Sequence, residues 1–212
     1  GFKPFALSIQ LYIFAFILLL ISWLKWSIPL NRSAFWIIFI TFLIHTFGLL
    51  ARMYIQGRPP VTNLYSSALF IGWASVLLCL ATEKYIRLGI ASAMGALIGF
   101  SSLVIAHSLS LDSSLNPTGD TMEMMRAVLD SNFWLATHVI TISLGYAGCV
   151  AAGVMGHVYI LQRLFGKSKE ELTKSYKTLF GILGFGLTLS FIGTVLGGIW
   201  ADQSWGRFWG WD

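Results

Sequence analysis

Charge is what this sequence has least of. Of its 212 residues only 11% are Asp, Glu, Lys or Arg, while 56% are apolar and 15% aromatic; soluble domains carry about 25% charged residues and roughly 45 to 50% apolar ones. A soluble globule of this length has no interior large enough for so much apolar surface, and a disordered chain has too little of it. Cysteine is nearly absent as well: Cys79 and Cys149 are the two residues, with no CxxC pair. That excludes a disulfide scaffold and makes thiol-disulfide chemistry by this chain improbable, and both are expected to be small buried apolar residues. Glycine is plentiful, at 21 residues, but without the triplet period of a collagen-like fibre.

What is present is a series of long apolar runs. Six windows satisfy the length of a transmembrane segment: Phe5 to Leu24, Ala34 to Ile55, Leu64 to Thr82, Leu88 to His107, Phe133 to Leu161 and Thr178 to Trp200. At about 1.5 Å rise per residue each can cross a hydrocarbon core of about 30 Å. Inside lipid every backbone group must be paired within the segment, and the alternation and short turns of a barrel are missing, so the runs predict helices. The expected fold is all-α, a polytopic membrane bundle of about six transmembrane helices forming a single domain over 1–212.

The formal charge of +5 reports topology rather than a nucleic-acid partner. Nine cations fall on one side, at Lys25, Arg32, Lys84, Arg87, Arg163, Lys167, Lys169, Lys174 and Lys177, and five on the other, at Lys3, Arg52, Arg58, Arg126 and Arg207. By the positive-inside rule the nine-charge side is cytoplasmic, so the amino end, the loop at Arg58, the connection 108–132 and the tail after Trp200 face outward. The first 25 residues lack a small-x-small cleavage site and do not resemble a signal peptide. Starting at Gly1 and stopping a few residues past a span, the sequence is expected to be part of a longer protein.

Small residues recur at four-residue spacing within the spans: Gly95 with Gly99, Gly193 with Gly197, and the ribbon Gly148, Ala152, Gly156. Each set shares a helix face that lets backbones approach, and bundle packing explains them without a catalytic role. Ser168 with Glu171 forms a capping box expected to start a polar turn before the sixth span. Asp120 with Glu123, followed by Met122, Met125 and Leu129 at helical spacing, predicts a short helix along the outer membrane surface. In the loop Gly57-Arg58-Pro59-Pro60-Val61-Thr62-Asn63, paired prolines hold the second and third spans at a set angle.

Tryptophan concentrates at one place. An even spread of the nine residues puts about half a Trp in any 13 positions, yet the last 13 hold Trp200, Trp205, Trp209 and Trp211. An aromatic belt at the membrane interface is one explanation. The interleaved Gly206, Gly210, Asp202, Arg207 and Asp212 favour the other, a platform for a large planar molecule, with Trp205 and Trp209 on one face if the loop is helical. Four His remain. His138 lies one to two turns into the fifth span from the outer face, His107 ends the fourth, His45 lies deeper in the second, and His157 is about 28 Å of helix from His138. An intramembrane His either packs structurally or ligates a group such as haem iron, and His138 and the Trp loop meet at the same membrane face.

Trp205-Gly206-Arg207-Phe208-Trp209-Gly210-Trp211-Asp212 resembles the WGxxWxWD signature of the WWD proteins, which handle haem in cytochrome c biogenesis. Pro59-Pro60-Val61-Thr62-Asn63-Leu64-Tyr65 looks like the segment preceding it in the CcsA (ResC) branch, and Phe133-Trp134-Leu135-Ala136-Thr137-His138-Val139 is similar to the region bearing the first external haem-ligating His. The resemblance covers most of the chain from about His45 onward. It implies a bacterial inner-membrane protein that receives haem from the cytoplasmic side, presents it outside beneath the Trp platform, and joins it to an apocytochrome c whose CxxCH thiols react with the vinyl groups, as part of a haem lyase acting with a CcsB/ResB-type subunit or fused domain. Carried over by residue, His138 is the iron ligand, and Trp205, Gly206, Trp209, Trp211 and Asp212 form the platform. His45 is the intramembrane candidate for haem contact, and Arg58, Arg126 or Arg207 the candidates for the propionates. The family's second external His lies beyond the motif. Two rivals stand beside this reading: a haem carrier without ligation activity, like the related CcmC branch, and a permease or assembly scaffold whose Trp loop holds a partner protein.

Overall fold

The computed structural model describes residues 3–86, 89–114, 119–122 and 127–208. Six helices long and apolar enough to cross a membrane account for nearly all of these residues, and no strand occurs among them. They are α1 (Pro4–Leu24), α2 (Ser27–Gln56), α3 (Leu64–Ile86), α4 (Ile90–Leu111), α5 (Asn132–Leu164) and α6 (Lys169–Trp205). Helices α1 to α4 form one block, in which α1 packs on α2 and α4, and α3 on α4. Helix α5 leans on α3 and α4, whereas the main neighbour of α6 is α5.

Several helices run past the apolar windows. α2 begins at Ser27 instead of Ala34, and α6 begins at Lys169 instead of Thr178. The windows find hydrocarbon, but a capped helix continues through the interface wherever its end groups are met. Ser168 does form the capping box with Glu171, through Glu171 N–H to Ser168 Oγ at 3.3 Å and Ser168 N–H to Glu171 Oε2 at 3.3 Å. It starts α6 itself, and no separate polar turn intervenes.

The small residues serve close packing as expected, with two exceptions. A Cβ on Gly148 would stand 2.7 Å from Gly186 Cα, so backbones touch there, and one on Gly99 would stand 2.8 Å from the Val76 side chain at Cγ2. Gly156, third in the ribbon, faces open space. Cys79 is buried as expected, but Cys149 is exposed on the α5 surface.

Polar ties hold the loops at the end of the bundle that carries Trp205. Asn63 caps α3 in a reciprocal arrangement: Ser66 N–H donates to Asn63 Oδ1 and Asn63 N–H to Ser66 Oγ, both at 2.9 Å. Arg52, only 7% exposed, donates to the Thr121 carbonyl at 2.7 Å and to its hydroxyl at 3.0 Å, and its guanidinium lies over the Tyr65 ring. Arg58 pairs with Asp130 at 2.6 Å. These ties bind the connection before α5 to the loop 57–63. Within that connection Asp120 accepts from Met122 N–H at 2.8 Å in an Asx turn, and Ala127–Leu129 is a single 3₁₀ turn. Glu123 and Met125, on which the expected surface helix rests, lie outside the described residues.

Candidate functional site

His138 sits in a π-helical turn, Leu135–Val139, at the start of α5. Such a turn inserts one residue into the helical ladder and re-aims what it carries. The His138 Nδ1–H donates to the Gly193 carbonyl oxygen of α6 at 2.7 Å. A carbonyl only accepts, so this bond places the proton on Nδ1 and leaves Nε2 with its lone pair. Among the described residues Nε2 has no partner. A histidine held this way by a backbone carbonyl has the arrangement usual for metal-bound imidazoles, where the second nitrogen fixes orientation and raises basicity.

The imidazole fits because α6 offers it no side chain. A Cβ on Gly197 would stand 2.6 Å from His138 Cε1, inside van der Waals contact. The pair Gly193 and Gly197, expected only to pack the bundle, is therefore also the seat of His138: one glycine gives the carbonyl, the other the space. Trp200 closes one side, 5.8 Å from the His138 ring and stacked on Trp134 at 6.3 Å and 11°.

The seat opens into a groove of about 640 Å³ whose described lining residues lie on α5 and on α6 with its continuation. His138, Ile142 and Tyr146 form one wall; Thr194, Ala201, Trp205, Arg207 and Phe208 face them. Its size is that of a pocket for a cofactor-sized molecule, and its lining is apolar and aromatic with few polar groups. Phe208, which the sequence reading passed over, folds back onto Gly198, where a Cβ would overlap its ring. Trp205 is the last residue of α6, and Gly206 ends the helix with φ 70°. The left-handed turn at Gly206 ends α6 one residue after Trp205, and Trp209, expected to share a face with Trp205, is outside the described residues. So are Trp211, Asp212 and Arg126.

Of the other candidates, His45 lies apart. It is fully buried in α2, with Phe5 and Tyr12 of α1 edge-on to its ring, and does not line the groove. Its Nδ1 is 3.5 Å from the Tyr12 hydroxyl, a long hydrogen bond, and its Nε2 has no partner of good geometry among the described residues. His107 is exposed near the end of α4, and His157 bonds to the Gly153 carbonyl at 2.8 Å, exposed on α5. Arg58 pairs with Asp130, and Arg207 lines the groove. No cluster of three or more His, Cys, Asp or Glu able to hold a metal ion occurs among the described residues. An axially bound iron asks for less, a single nitrogen from this chain, and His138 meets that requirement.

Residues 61–212 match the Cytochrome C assembly protein family. The chain is 35% identical over 179 residues to Protein NrfI of Wolinella succinogenes, covering 82% of this chain and 19% of that protein. It is 28% identical over 172 residues to Cytochrome c biogenesis protein CcsA of Chlamydomonas reinhardtii, covering 77% of this chain and 47% of that one. With the CcsA of Prochlorococcus marinus subsp. pastoris it shares 28% identity over 244 residues, 96% of this chain and 73% of the other. The chain thus spans about a fifth and about half the length of the first two relatives.

Proposed function

We propose, from the premise that the chain belongs to the cytochrome c assembly protein family, that it binds haem as a substrate in the groove between α5 and α6 and presents it for attachment to an apocytochrome c. The observation that supports this reading most is the bare Nε2 of His138, fixed at the groove by the Nδ1–H bond to Gly193. In this reading His138 supplies one axial ligand, Trp205 and Phe208 cover a porphyrin face, and Arg207 pairs with a propionate. The remaining residues of the WGxxWxWD motif, Trp209, Trp211 and Asp212, extend the platform. His45 is kept as a separate intramembrane contact, since it does not line this groove.

Bound haem supplies two vinyl groups, across which the S–H bonds of a CxxCH segment add to give thioethers. The chain's own part is to hold and orient. His138 sets the depth of the ring and the aromatic walls exclude water. Fixed geometry beside incoming thiols raises their effective concentration, and this orientation is the catalysis assigned to the site. A CcsB/ResB-type subunit or domain completes the assembly in the bacterial inner membrane, with the groove on its outer side, an orientation that the distribution of Lys and Arg supports.

The test is the absorption spectrum of the full-length protein purified in detergent, compared with His138→Gly without and with imidazole. The expected result is a Soret band that weakens in the variant and returns with imidazole, which refills the vacated ligand position. A wild-type protein without haem, or a Soret band indifferent to the substitution, overturns the proposal.

A further inference from the structure

A second groove, of about 690 Å³, lies at the opposite end of the bundle, between α1 and α5 and floored by α4. Its lining is graded. Phe16, Leu97 and Val154 lie about 10 to 15 Å from the nearer ends of their helices at 1.5 Å per residue, and they make an apolar trough. Gln162, Lys167 and Glu171 stand at the mouth, at the end rich in Lys and Arg. Such a gradient suits an amphiphile whose head lies at the interface and whose tail lies among the helices.

The polar end specifies more. Gln162 is only 7% exposed, and its Oε1 is buried without a hydrogen-bond partner among the described residues. A buried amide oxygen left unmet is unfavourable, so a molecule that suits this groove brings an N–H or O–H donor. Lys167 is held next to Gln162, since its backbone N–H donates to the Gln162 carbonyl at 3.0 Å. Glu171 Oε2 accepts from the Ser168 hydroxyl at 3.0 Å, and Glu171 Oε1 forms a loose ion pair with Lys167 Nζ at 3.7 Å. The mouth therefore offers a loose Lys167–Glu171 ion pair, across which a zwitterionic head can insert with its charges opposed, and one amide acceptor.

We infer that this groove binds one phosphatidylethanolamine molecule, with an acyl chain along Phe16, Leu97 and Val154, the phosphate at Lys167, and the ammonium donating to Gln162 Oε1 and Glu171 Oε1. A quaternary choline head has no N–H to give. Among the described residues neither His nor Cys lines the groove, and Met94, which does line it, is 3% exposed and packed with Cys79 and Met155, so the groove presents haem with no imidazole or thiolate. The inference goes beyond the haem reading and stands independently of His138.

Native mass spectrometry of the delipidated full-length protein, offered equal amounts of phosphatidylethanolamine, phosphatidylcholine and phosphatidylglycerol, tests it. One phosphatidylethanolamine retained over phosphatidylcholine by about fivefold is expected, the weight of one hydrogen bond. Gln162→Leu should erase that preference, and Val158→Trp, which fills the trough, should remove the retained lipid. Equal retention of the lipids, a preference unchanged in Gln162→Leu, or displacement of the lipid by added haem overturns the inference. If Val158→Trp does not fold, Gln162→Leu decides alone. The Soret band of the same samples reports the haem site separately, so failure of one assignment is distinguishable from failure of the other.

Discussion

A methyl group at position 197 would stand 2.6 Å from His138 Cε1, and the imidazole cannot retreat without leaving the Gly193 carbonyl. Gly197→Ala is therefore expected to weaken haem retention by about tenfold, the lower end of what disturbed outer-shell partners cost a metal site. Titration of the stripped protein with haem measures it, and unchanged affinity would show that the seat does not govern the ligand. His138 was legible in the sequence because an ionisable residue inside an apolar run stands out. Its seat was not: Gly193 and Gly197 have the spacing of ordinary packing glycines, and their partner is 55 residues away. Phe208 escaped notice for a related reason. One Phe among 16 carries no signal until the turn at Gly206 brings it back to Gly198.

Helix positions were legible from hydrophobicity, while their ends and irregularities depended on polar contacts that no window registers. The capping box that opens α6 is a case where sequence and structure agree. Ser168→Ala removes the acceptor for Glu171 N–H and is expected to destabilise the helix end by about 1 kcal/mol, read as a lowered midpoint of thermal unfolding in detergent. The π turn is the opposite case, since nothing in Leu-Ala-Thr-His-Val announces an extra residue. Deleting Ala136 should restore a regular helix and turn the segment before it by about 100°. Trp134 then leaves Trp200 while His138 keeps its bond to Gly193. Near-ultraviolet circular dichroism should lose the signal of the stacked pair, and a spectrum identical to that of the wild type would contradict the role assigned to the turn.

Orientation in the membrane was argued from charge, and it can be measured directly. In a background with Cys79 and Cys149 replaced by Ala, a cysteine introduced at Ser204 should react with an impermeant maleimide in intact cells. One at Ser168 should react only after the membrane is inverted or opened. The reverse pattern would place the groove on the cytoplasmic side. The loops on the Trp205 side contribute less to stability than to alignment: Arg58 and Asp130 are 20% and 35% exposed, so their coupling in a double-mutant cycle should be within about 1 kcal/mol. A further property belongs to the way the helices are grouped. The buried residues of α6 are Ser175, Ile182, Gly186, Gly193 and Gly198, a single narrow stripe, and its main neighbour is α5. The imidazole, its anchoring carbonyl and the described lining of the adjoining groove lie on this one helical hairpin. Through α5, which packs on α3 and α4 and sets Ala151 and Met155 beside Cys79 and Met94, that hairpin is keyed to the four-helix block, so a change in core packing there would reach the imidazole through a single helix.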